Sequence, residues 1–269
     1  MTATPATTPR VTPRSAGFLD DLRSVSVRAI RLTWRDPEAF LPALVIPVFF
    51  FVVNVGALQK FVESSFPPNF DYKAFQLPVA VVFAVTGVSR ANSLVLDIQN
   101  GYLDRLLMTP IRRLAILLGH MVADVTVAVC LTLPILALGF AMGVTFETGV
   151  PGFLFFIVLA ALWSLAFSGF GYAIALKTGN PAAVNSSFLL FFPFLFLTSS
   201  YVPRNQLSGW LDTVAGFNPV TYLLEGLRSL VMVGWQWGEL GKALVAIAVL
   251  GTISMSLCFA ALRGRIQRG

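Results

Sequence analysis

Six apolar stretches divide the chain, and shorter segments with polar or charged residues separate them. A helix that crosses about 30 Å of hydrocarbon needs about 20 mostly apolar residues. The stretches that meet this requirement are 40–61, 76–96, 114–143, 153–176, 182–202 and 242–262. The pattern therefore predicts an all-α integral membrane fold with six transmembrane helices.

The composition supports a membrane protein. Apolar residues make up 56% of the 269 residues and charged residues only 12%, whereas a soluble domain carries about 25% charged residues. The net charge of +6 does not indicate nucleic-acid binding, because Lys and Arg lie at the ends of the apolar stretches rather than on one face. Both cysteines lie inside apolar stretches and there is a single His, so we expect neither a disulfide framework nor a metal site.

The distribution of positive charge predicts how the chain is oriented. Basic residues concentrate before the first predicted span, in the second and fourth loops and after the last span, whereas the opposite loops hold few of them. Because Lys and Arg are enriched on the cytoplasmic side, we expect a multi-pass protein of the cell membrane with both termini in the cytoplasm. An even number of spans agrees with this orientation.

Two segments precede the transmembrane domain, which we place at 37–269. Residues 1–16 are rich in Thr, Pro and Arg with little to bury, so we expect a disordered tail. In 17–36, apolar residues recur at helical spacing while most charged residues point elsewhere. This pattern is typical of a basic amphipathic helix lying in the membrane interface, and a plain positively charged flank is the alternative.

The fifth loop, residues 203–241, is long and not very polar. Its apolar positions predict one or two amphipathic helices that dip into the outer leaflet without crossing it. Asn218-Pro219 is a natural helix start, and Glu225 and Arg228 lie three residues apart, so that they can pair on one helical face. A small extracellular cap is the alternative.

The segment Asp97–Arg113 places two Asp and three Arg between the second and third spans. Asn100-Gly101 is a natural break in the chain, and the leucines that follow form an apolar stripe on a short helix that Pro110 would end. Such a helix, held between two spans on the cytoplasmic side, can fill a groove on a soluble partner. A helix that lies on the lipid surface is the alternative.

Two local sequences resemble those of permeases of the ABC-2 exporter class. Residues 101–113 (GYLDRLLMTPIRR) look like the cytoplasmic segment of that class, and the run from Asn218 to Arg228 looks like its downstream signature. The usual acidic pair at the start of the cytoplasmic segment is replaced here by Asp97 and Gln99. The resemblance covers nearly the whole chain beyond its tail, and the size of the chain is similar to that of daunorubicin-resistance-type permeases.

The resemblance implies the permease subunit of an ATP-driven exporter, with no enzyme activity and no cofactor of its own. Two copies, or one copy and a sister permease, would sit on two ATP-binding subunits that hold ATP and Mg. The residues that it assigns to coupling with those subunits are Gly101, Leu103, Asp104, Arg105, Leu106, Leu107 and Pro110. The residues of the outer signature are Asn218, Pro219, Tyr222, Glu225 and Arg228.

The sequence lacks a phosphate-binding loop of its own. Such a loop needs Gly, four residues, and then Gly-Lys-Ser/Thr, and the nearest match, Gly171 to Thr178, has Leu176 where the second Gly should be. Energy for transport must therefore come from a separate ATP-binding polypeptide or from an ion gradient.

Three ionisable residues inside apolar stretches, Arg90, His120 and Asp124, keep the ion gradient open as an alternative. His120 and Asp124 lie four residues apart on one helical face, where a proton-coupled secondary transporter would use them. A structural polar pairing that includes Arg90 is the other interpretation. An intramembrane lipid-modifying enzyme is a weaker alternative, because the sequence shows no nucleophile–base set and no metal cluster.

Phenylalanines crowd the predicted fifth span around Pro193. They offer apolar contact without hydrogen bonds, which suits a hydrophobic or amphipathic cargo such as a drug, an antibiotic or a lipid-like molecule. Packing within the protein or contact with membrane lipid is the alternative. The residues that we assign to a translocation path are Phe188, Phe191, Phe192 and Phe194.

Overall fold

A computed structural model describes residues 17–34, 37–67, 70–87, 89, 91–108 and 113–266, and within these ranges every regular element is a helix. The all-α prediction is therefore confirmed for the described part of the chain. Some predicted features lie outside it, namely the tail 1–16 and the residues Arg90 and Pro110, together with the side chains of Asp104, Leu107, Phe188 and Phe191.

Eleven α-helices and three short helical turns follow one another along the described residues. The helices are α1 (Phe18–Trp34), α2 (Pro37–Ser65), α3 (Tyr72–Thr86), α4 (Ala91–Gln99), α5 (Tyr102–Leu107), α6 (Arg113–Ala141), α7 (Gly149–Thr178), α8 (Pro181–Phe191), α9 (Trp210–Phe217), α10 (Pro219–Arg228) and α11 (Trp237–Ile266). The turns are Phe192–Leu195 and Arg204–Gln206 with 3₁₀ geometry and Ser229–Val233 with π geometry.

Five stretches of the described chain are long and apolar enough to cross a membrane. They are Leu41–Ser65, Tyr72–Gln99, Leu114–Ala141, Gly149–Thr178 and Trp237–Arg265. These stretches match five of the six predicted spans, so the chain is a multi-pass membrane protein. The predicted fifth span, 182–202, differs, because its α-helix ends at Phe191 and gives way to a 3₁₀ turn.

The early end of α8 has a local cause in Pro193. Proline has no amide proton and its ring clashes with the preceding turn, so it interrupts an α-helix. The chain then tightens, and the amides of Phe196 and Leu197 both donate to the carbonyl of Pro193 at 2.9 Å. Residues 198–200 follow as buried, non-helical chain. The apolar run of the sequence hides this change because it continues across the proline.

Two apolar cores hold the helices together. The larger core lies where α2, α3, α6, α7 and α10 meet, and Trp163 of α7 is buried in it. The indole nitrogen of Trp163 donates to the hydroxyl of Thr86 at 2.8 Å, which satisfies its one donor inside the core. The smaller core joins α4, α5 and the facing parts of α6, α7, α8 and α11. It therefore includes Ile98, Leu103 and Leu106 of the charged segment that the sequence singles out.

Small residues let neighbouring helices approach closely. A Cβ atom on Gly169 of α7 would lie 2.7 Å from the hydroxyl of Ser254 on α11, and one on Gly226 of α10 would lie 2.7 Å from the Cβ of Ala243. Gly119 of α6 meets Val25 of α1 in the same way. Such contacts are the usual means by which helices pack in membranes, and they fix α1 and α10 against the bundle.

Candidate functional site

The short helix α5 lies directly after the second long apolar stretch. Gly101 has a φ of +65°, a left-handed conformation that favours glycine, so the predicted break before the helix is present. Leu103 is only 2% exposed, and Leu106 packs against the same core. By contrast, Arg105 is exposed and the following Met108 is 80% exposed. The leucines therefore hold α5 against its own chain, and the opposite side is the one open to another protein.

An ion pair ties α1 to the end of α4. The guanidinium of Arg28 donates to both carboxylate oxygens of Asp97, at 2.9 and 2.7 Å, which is the strong two-pronged geometry of this pair. The hydrogen bond to Asp97 raises the pKa of Arg28 above its ordinary value of 12.5, against the opposing effect of burial. The same guanidinium lies 3.9 Å from the ring centroid of Tyr102, close enough for a cation–π contact. Three helices, α1, α4 and α5, thus meet at one cation.

His120 of α6 joins this group. Its Nε2 lies 3.4 Å from a carboxylate oxygen of Asp97, and its Nδ1 lies 2.9 Å from the main-chain carbonyl of Ile116. Both ring nitrogens therefore face oxygen atoms that can accept a hydrogen bond, the carbonyl of Ile116 and the carboxylate of Asp97. The carboxylate that the structure brings to His120 is thus Asp97, which the sequence had placed in a different segment.

Asp124, one helical turn beyond His120, is also buried. It accepts a hydrogen bond from the hydroxyl of Tyr172 on α7 at 2.6 Å. The ring of Tyr172 lies edge-on to that of His120, with 6.4 Å between the centroids. His120 and Asp124 therefore both face α7, as their spacing predicts. Their predicted partner Arg90 lies outside the described residues.

A further hydrogen bond joins the end of α4 to the chain just after α7. The side-chain amide of Gln99 donates to the main-chain carbonyl of Gly179, just beyond α7, at 3.1 Å. Gln99 is the residue that departs from the acidic pair of the resemblance, and an amide suits this position because a carboxylate could not donate to a carbonyl. We call the set Arg28, Asp97, Tyr102 and His120 the cytoplasmic cluster, following the predicted orientation.

The residues of the outer signature bind the chain that follows α8, and Asn218 makes several of these contacts. Its carbonyl oxygen accepts from the amide of Val220 at 3.0 Å and so caps α10. Its amide group donates to the carbonyls of Phe194 and Leu197, at 2.6 and 2.7 Å. Thr221 adds a hydroxyl contact of 2.6 Å with Thr198. One side of α10 therefore supplies hydrogen bonds to the non-helical chain that follows α8.

Arg228 completes this contact and is buried, with 7% of its surface exposed. Its guanidinium donates to the carbonyl of Ser199 at 2.8 Å, to the Ser199 hydroxyl at 3.1 Å and to the carbonyl of Phe75 at 3.1 Å. It also lies 3.5 Å from the ring centroid of Phe75. Burial lowers the pKa of Arg228 to about 9, so the group remains charged at neutral pH.

The other signature residues surround Arg228 less directly. Pro219 occupies the first helical position of α10, and the hydroxyl of Tyr222 donates to the carbonyl of Gly216 at 2.6 Å, which fixes α9 to α10. Burial raises the pKa of Glu225 above its ordinary value of 4.5, although neighbouring Arg204 acts in the opposite direction. Arg228 also lowers that pKa, but its guanidinium donates to Ser199 and Phe75, and the ion pairs found among the described residues do not include the predicted pair of Glu225 with Arg228.

Of the phenylalanines assigned to the predicted path, one described side chain is partly buried among other aromatic rings and one is exposed. Phe192 is partly buried, and its ring lies 5.6 Å from that of Phe83 and 4.9 Å from that of Phe196, measured between centroids. Phe194 is 48% exposed. The aromatic group around Phe192 thus includes a residue of α3 that the sequence did not connect with it.

Several residues of these sites escaped the sequence analysis. Arg28 is one of several basic residues on α1, and no local signal sets it apart. Tyr172 and Ser199 are single polar residues in apolar surroundings, which the sequence alone does not distinguish from ordinary packing. The sequence did identify one partner of each contact: Asp97 in the charged segment, Asp124 as an isolated ionisable residue and Arg228 in the signature.

Comparison with known proteins gives a consistent result. Residues 20–232 match a family model described as ABC-2 type transporter. The daunorubicin resistance ABC transporter permease protein DrrB1 of Streptomyces coeruleorubidus is 25% identical over 284 residues, which cover 96% of this chain and 98% of that protein.

Two further relatives have similar names. The "Probable doxorubicin resistance ABC transporter permease protein DrrC" of Mycobacterium tuberculosis is 26% identical over 201 residues, covering 74% of this chain and 72% of that protein. The "Probable multidrug ABC transporter permease YbhR" of Escherichia coli is 26% identical over 205 residues, covering 73% of this chain and 55% of that protein. All three are named as permeases of ABC transporters.

Proposed function

The chain belongs to the ABC-2 type transporter family, and we propose that it is the membrane-spanning permease subunit of an ATP-driven exporter. The cargo is a hydrophobic or amphipathic molecule, such as a drug, an antibiotic or a lipid-like compound, which leaves the cytoplasm or the inner leaflet. The names of the relatives, which refer to daunorubicin, doxorubicin and multidrug transport, support this class of cargo.

The observation that carries the proposal is the way α5 is held. Its apolar side is packed into the smaller core, and the cytoplasmic cluster joins it to α1, α4 and α6. A helix fixed on one side can transmit a push from a partner that contacts its other side. We therefore assign coupling to the segment Gly101–Pro110, with Arg105 and Met108 as the exposed contact, and we place ATP and Mg on two separate ATP-binding subunits.

A second permease completes the transporter, either as another copy of this chain or as a sister subunit. In this assembly α1 lies in the inner membrane interface, both termini are cytoplasmic, and α9 and α10 dip into the outer leaflet. The amphipathic character of α1 supports this arrangement, because Val25 and Ala29 are buried while Arg23 and Arg31 are exposed.

Six crossings require that the chain around α8 also crosses the membrane. The 11 residues of α8 and the four of the 3₁₀ turn extend about 25 Å together, slightly less than the hydrocarbon core. Non-helical chain at membrane depth is tolerated only where protein satisfies its polar groups. The hydrogen bonds from Asn218 and Arg228 to residues 194–199 provide this, and they support a sixth, broken crossing.

The test is ATP-dependent export by the reconstituted complex. The full chain is co-expressed with an ATP-binding subunit that co-purifies with it, and the complex is placed in lipid vesicles with daunorubicin as the fluorescent probe. Replacement of exposed Arg105 by Glu should weaken both co-purification and export. The matched control is Lys60→Glu, which changes an exposed cation near the far end of α2 and should leave both unchanged.

Two results would count against the proposal. If Arg105→Glu and Lys60→Glu behave alike, the coupling assignment is wrong. If daunorubicin export stops when a proton ionophore is added at constant ATP, a proton-coupled transporter that uses His120 and Asp124 becomes the better explanation.

A further inference from the structure

One face of α1 points away from the other helices. Apolar and basic side chains alternate along it every four residues, so they follow one ridge of the helix, and all of them are exposed: Leu19, Arg23, Val27 and Arg31. Within the described residues neither Arg23 nor Arg31 forms an ion pair. Asp20 is the exposed acidic residue of α1, so basic residues are in excess on this side.

The opposite face of α1 is fixed to the bundle. Val25 is buried, and it approaches α6 closely because Gly119 has no Cβ to meet it. Arg28 is held by both carboxylate oxygens of Asp97. The helix therefore cannot turn its exposed ridge toward the bundle without losing these contacts.

The contact with Gly119 sets the depth of α1 in the membrane. The far end of α6 is Ala141, and the next residue, Met142, accepts a hydrogen bond from the ammonium group of Lys73 at 3.1 Å. From Gly119 to Ala141 the helix rises about 33 Å, close to the thickness of the hydrocarbon core, about 30 Å. The middle of α1 therefore lies at the level of the headgroups on its own side of the membrane.

Other exposed basic residues lie at the same level. Asp124 of α6 accepts a hydrogen bond from Tyr172 of α7, and the two helices run in opposite directions, so Gly119 is level with the last turn of α7. That turn carries exposed Lys177, and the last turn of α11, which packs along α7, carries exposed Arg263. The charge at this level is thus predominantly positive among the exposed side chains that the structure describes.

We infer that the exposed face of α1 binds anionic phospholipids of the adjacent leaflet. Arg23 and Arg31 meet the negatively charged headgroups, and Leu19 and Val27 lie against the upper part of the acyl chains. Charge complementarity favours this partner, because each basic residue at an anionic membrane surface adds to the attraction. Free phosphate ions would use the charges of the face and leave its apolar residues in water. That this leaflet is the cytoplasmic one rests on the proposed function, whereas the preference for anionic lipid rests on the face itself.

Lipid bound to this face also holds α5 in place. Arg28 lies one position beyond Val27, and its guanidinium joins α1 to Asp97 and to Tyr102, the first residue of α5. A leaflet that fixes α1 therefore fixes the start of the coupling segment as well. ATP-driven export should accordingly be faster in vesicles that contain anionic lipid than in neutral ones.

The test measures which lipid lies next to α1 in the full chain without its ATP-binding subunit. A bimane fluorophore is attached to Ser24→Cys, an exposed position beside Arg23, after Cys130 and Cys258 are replaced by Ala. The vesicles contain phosphatidylcholine with about a quarter phosphatidylglycerol, and bromine atoms that quench bimane are carried near the headgroup end of either the phosphatidylglycerol or an equal amount of phosphatidylcholine. Brominated phosphatidylglycerol should be enriched about threefold to fivefold beside the label. The enrichment should be largely lost in about 0.5 M salt, which screens surface charge.

Substitutions on the face separate charge from other causes. Arg23→Gln combined with Arg31→Gln should abolish the enrichment, whereas Lys at both positions should keep it, because a leaflet responds to charge more than to the shape of the guanidinium. The matched control is Lys60→Gln, an exposed cation near the far end of α2, which should leave the enrichment unchanged. Equal quenching by the two lipids in the otherwise unchanged chain would overturn the inference. So would a double Gln variant that keeps its lipid enrichment but no longer co-purifies with the ATP-binding subunit, since the face would then bind that subunit.

The lipid measurement needs neither ATP nor the ATP-binding subunit. Enrichment of phosphatidylglycerol without ATP-driven export would remove the proposed function and keep the lipid site. ATP-driven export without enrichment would remove the lipid site and keep the function.

Discussion

Replacement of Arg228 by Ala is the most informative test of how the outer signature works. The side chain donates three hydrogen bonds, to Phe75 and twice to Ser199, and hydrogen bonds from a charged donor contribute about 1.5–3 kcal/mol each. Burial opposes them, because lowering the pKa from 12.5 to about 9 corresponds to about 5 kcal/mol against the charged form. The three hydrogen bonds together contribute about 4.5–9 kcal/mol, so burial offsets at least half of them.

Truncation of Arg228 lowers the stability mainly because its buried hydrogen-bond partners lose their donor. Arg228→Ala leaves two buried main-chain carbonyls and a hydroxyl without their donor, and each such group costs about 1–3 kcal/mol. We expect the free energy of unfolding to fall by about 3–5 kcal/mol, as when one partner of a buried polar pair is removed. Arg228→Lys should not restore it, because an ammonium group cannot reach both carbonyls with the geometry of a guanidinium.

The assay is reversible unfolding in mixed micelles with increasing denaturing detergent, followed by circular dichroism. Ser199→Ala is the matched control, since it removes only the hydroxyl acceptor and should cost about 1 kcal/mol. If Arg228→Ala costs no more than Ser199→Ala, the carbonyls of residues 75 and 199 find other donors and Arg228 does not hold α3 and residues 194–200 together.

Three further predictions concern the helix contacts. A double-mutant cycle with Arg28→Ala and Asp97→Asn should give a coupling energy of about 1–2 kcal/mol in the same unfolding assay, and additive effects would contradict the pairing of α1 with α4. Because the pKa of Glu225 is raised in the folded protein, this side chain stabilises the fold most below pH 4.5, and the stabilisation is lost as pH rises through the raised pKa. The free energy of unfolding of Glu225→Gln should therefore increase relative to that of the wild type between pH 4.5 and pH 7. A difference between the two proteins that does not change with pH would refute this. Gly226→Ala should lower the free energy of unfolding by about 1–3 kcal/mol, because the added Cβ pushes α10 away from α11. Gly238→Ala is the control and should not destabilise the fold, because a Cβ there meets nothing within 4 Å. Equal effects of the two variants would show that α10 can shift.

The sequence was informative wherever the cause was local. Five of the predicted spans appear as long apolar helices, because the length of an apolar run and the width of a bilayer decide them together. The break at Gly101 and the helix start at Asn218-Pro219 are present for the same reason, since each depends on the conformational preference of one or two residues. The predicted fifth span was the exception. Pro193 was a local signal that its α-helix would end early, but the long apolar run around it favoured the prediction of one continuous span.

The tertiary structure decided which polar residues meet. Arg28 and Asp97 are separated by 69 positions, and Arg228 and Phe75 by 153, so no helical period or motif spacing relates them. The sequence presented Arg228 as one residue of a signature, and only the packing of α10 against α3 and residues 194–200 shows that it donates hydrogen bonds to Phe75 and Ser199. Local patterns determine elements because their energies depend on near neighbours, whereas a buried charge is placed by groups that folding brings to it from distant parts of the chain.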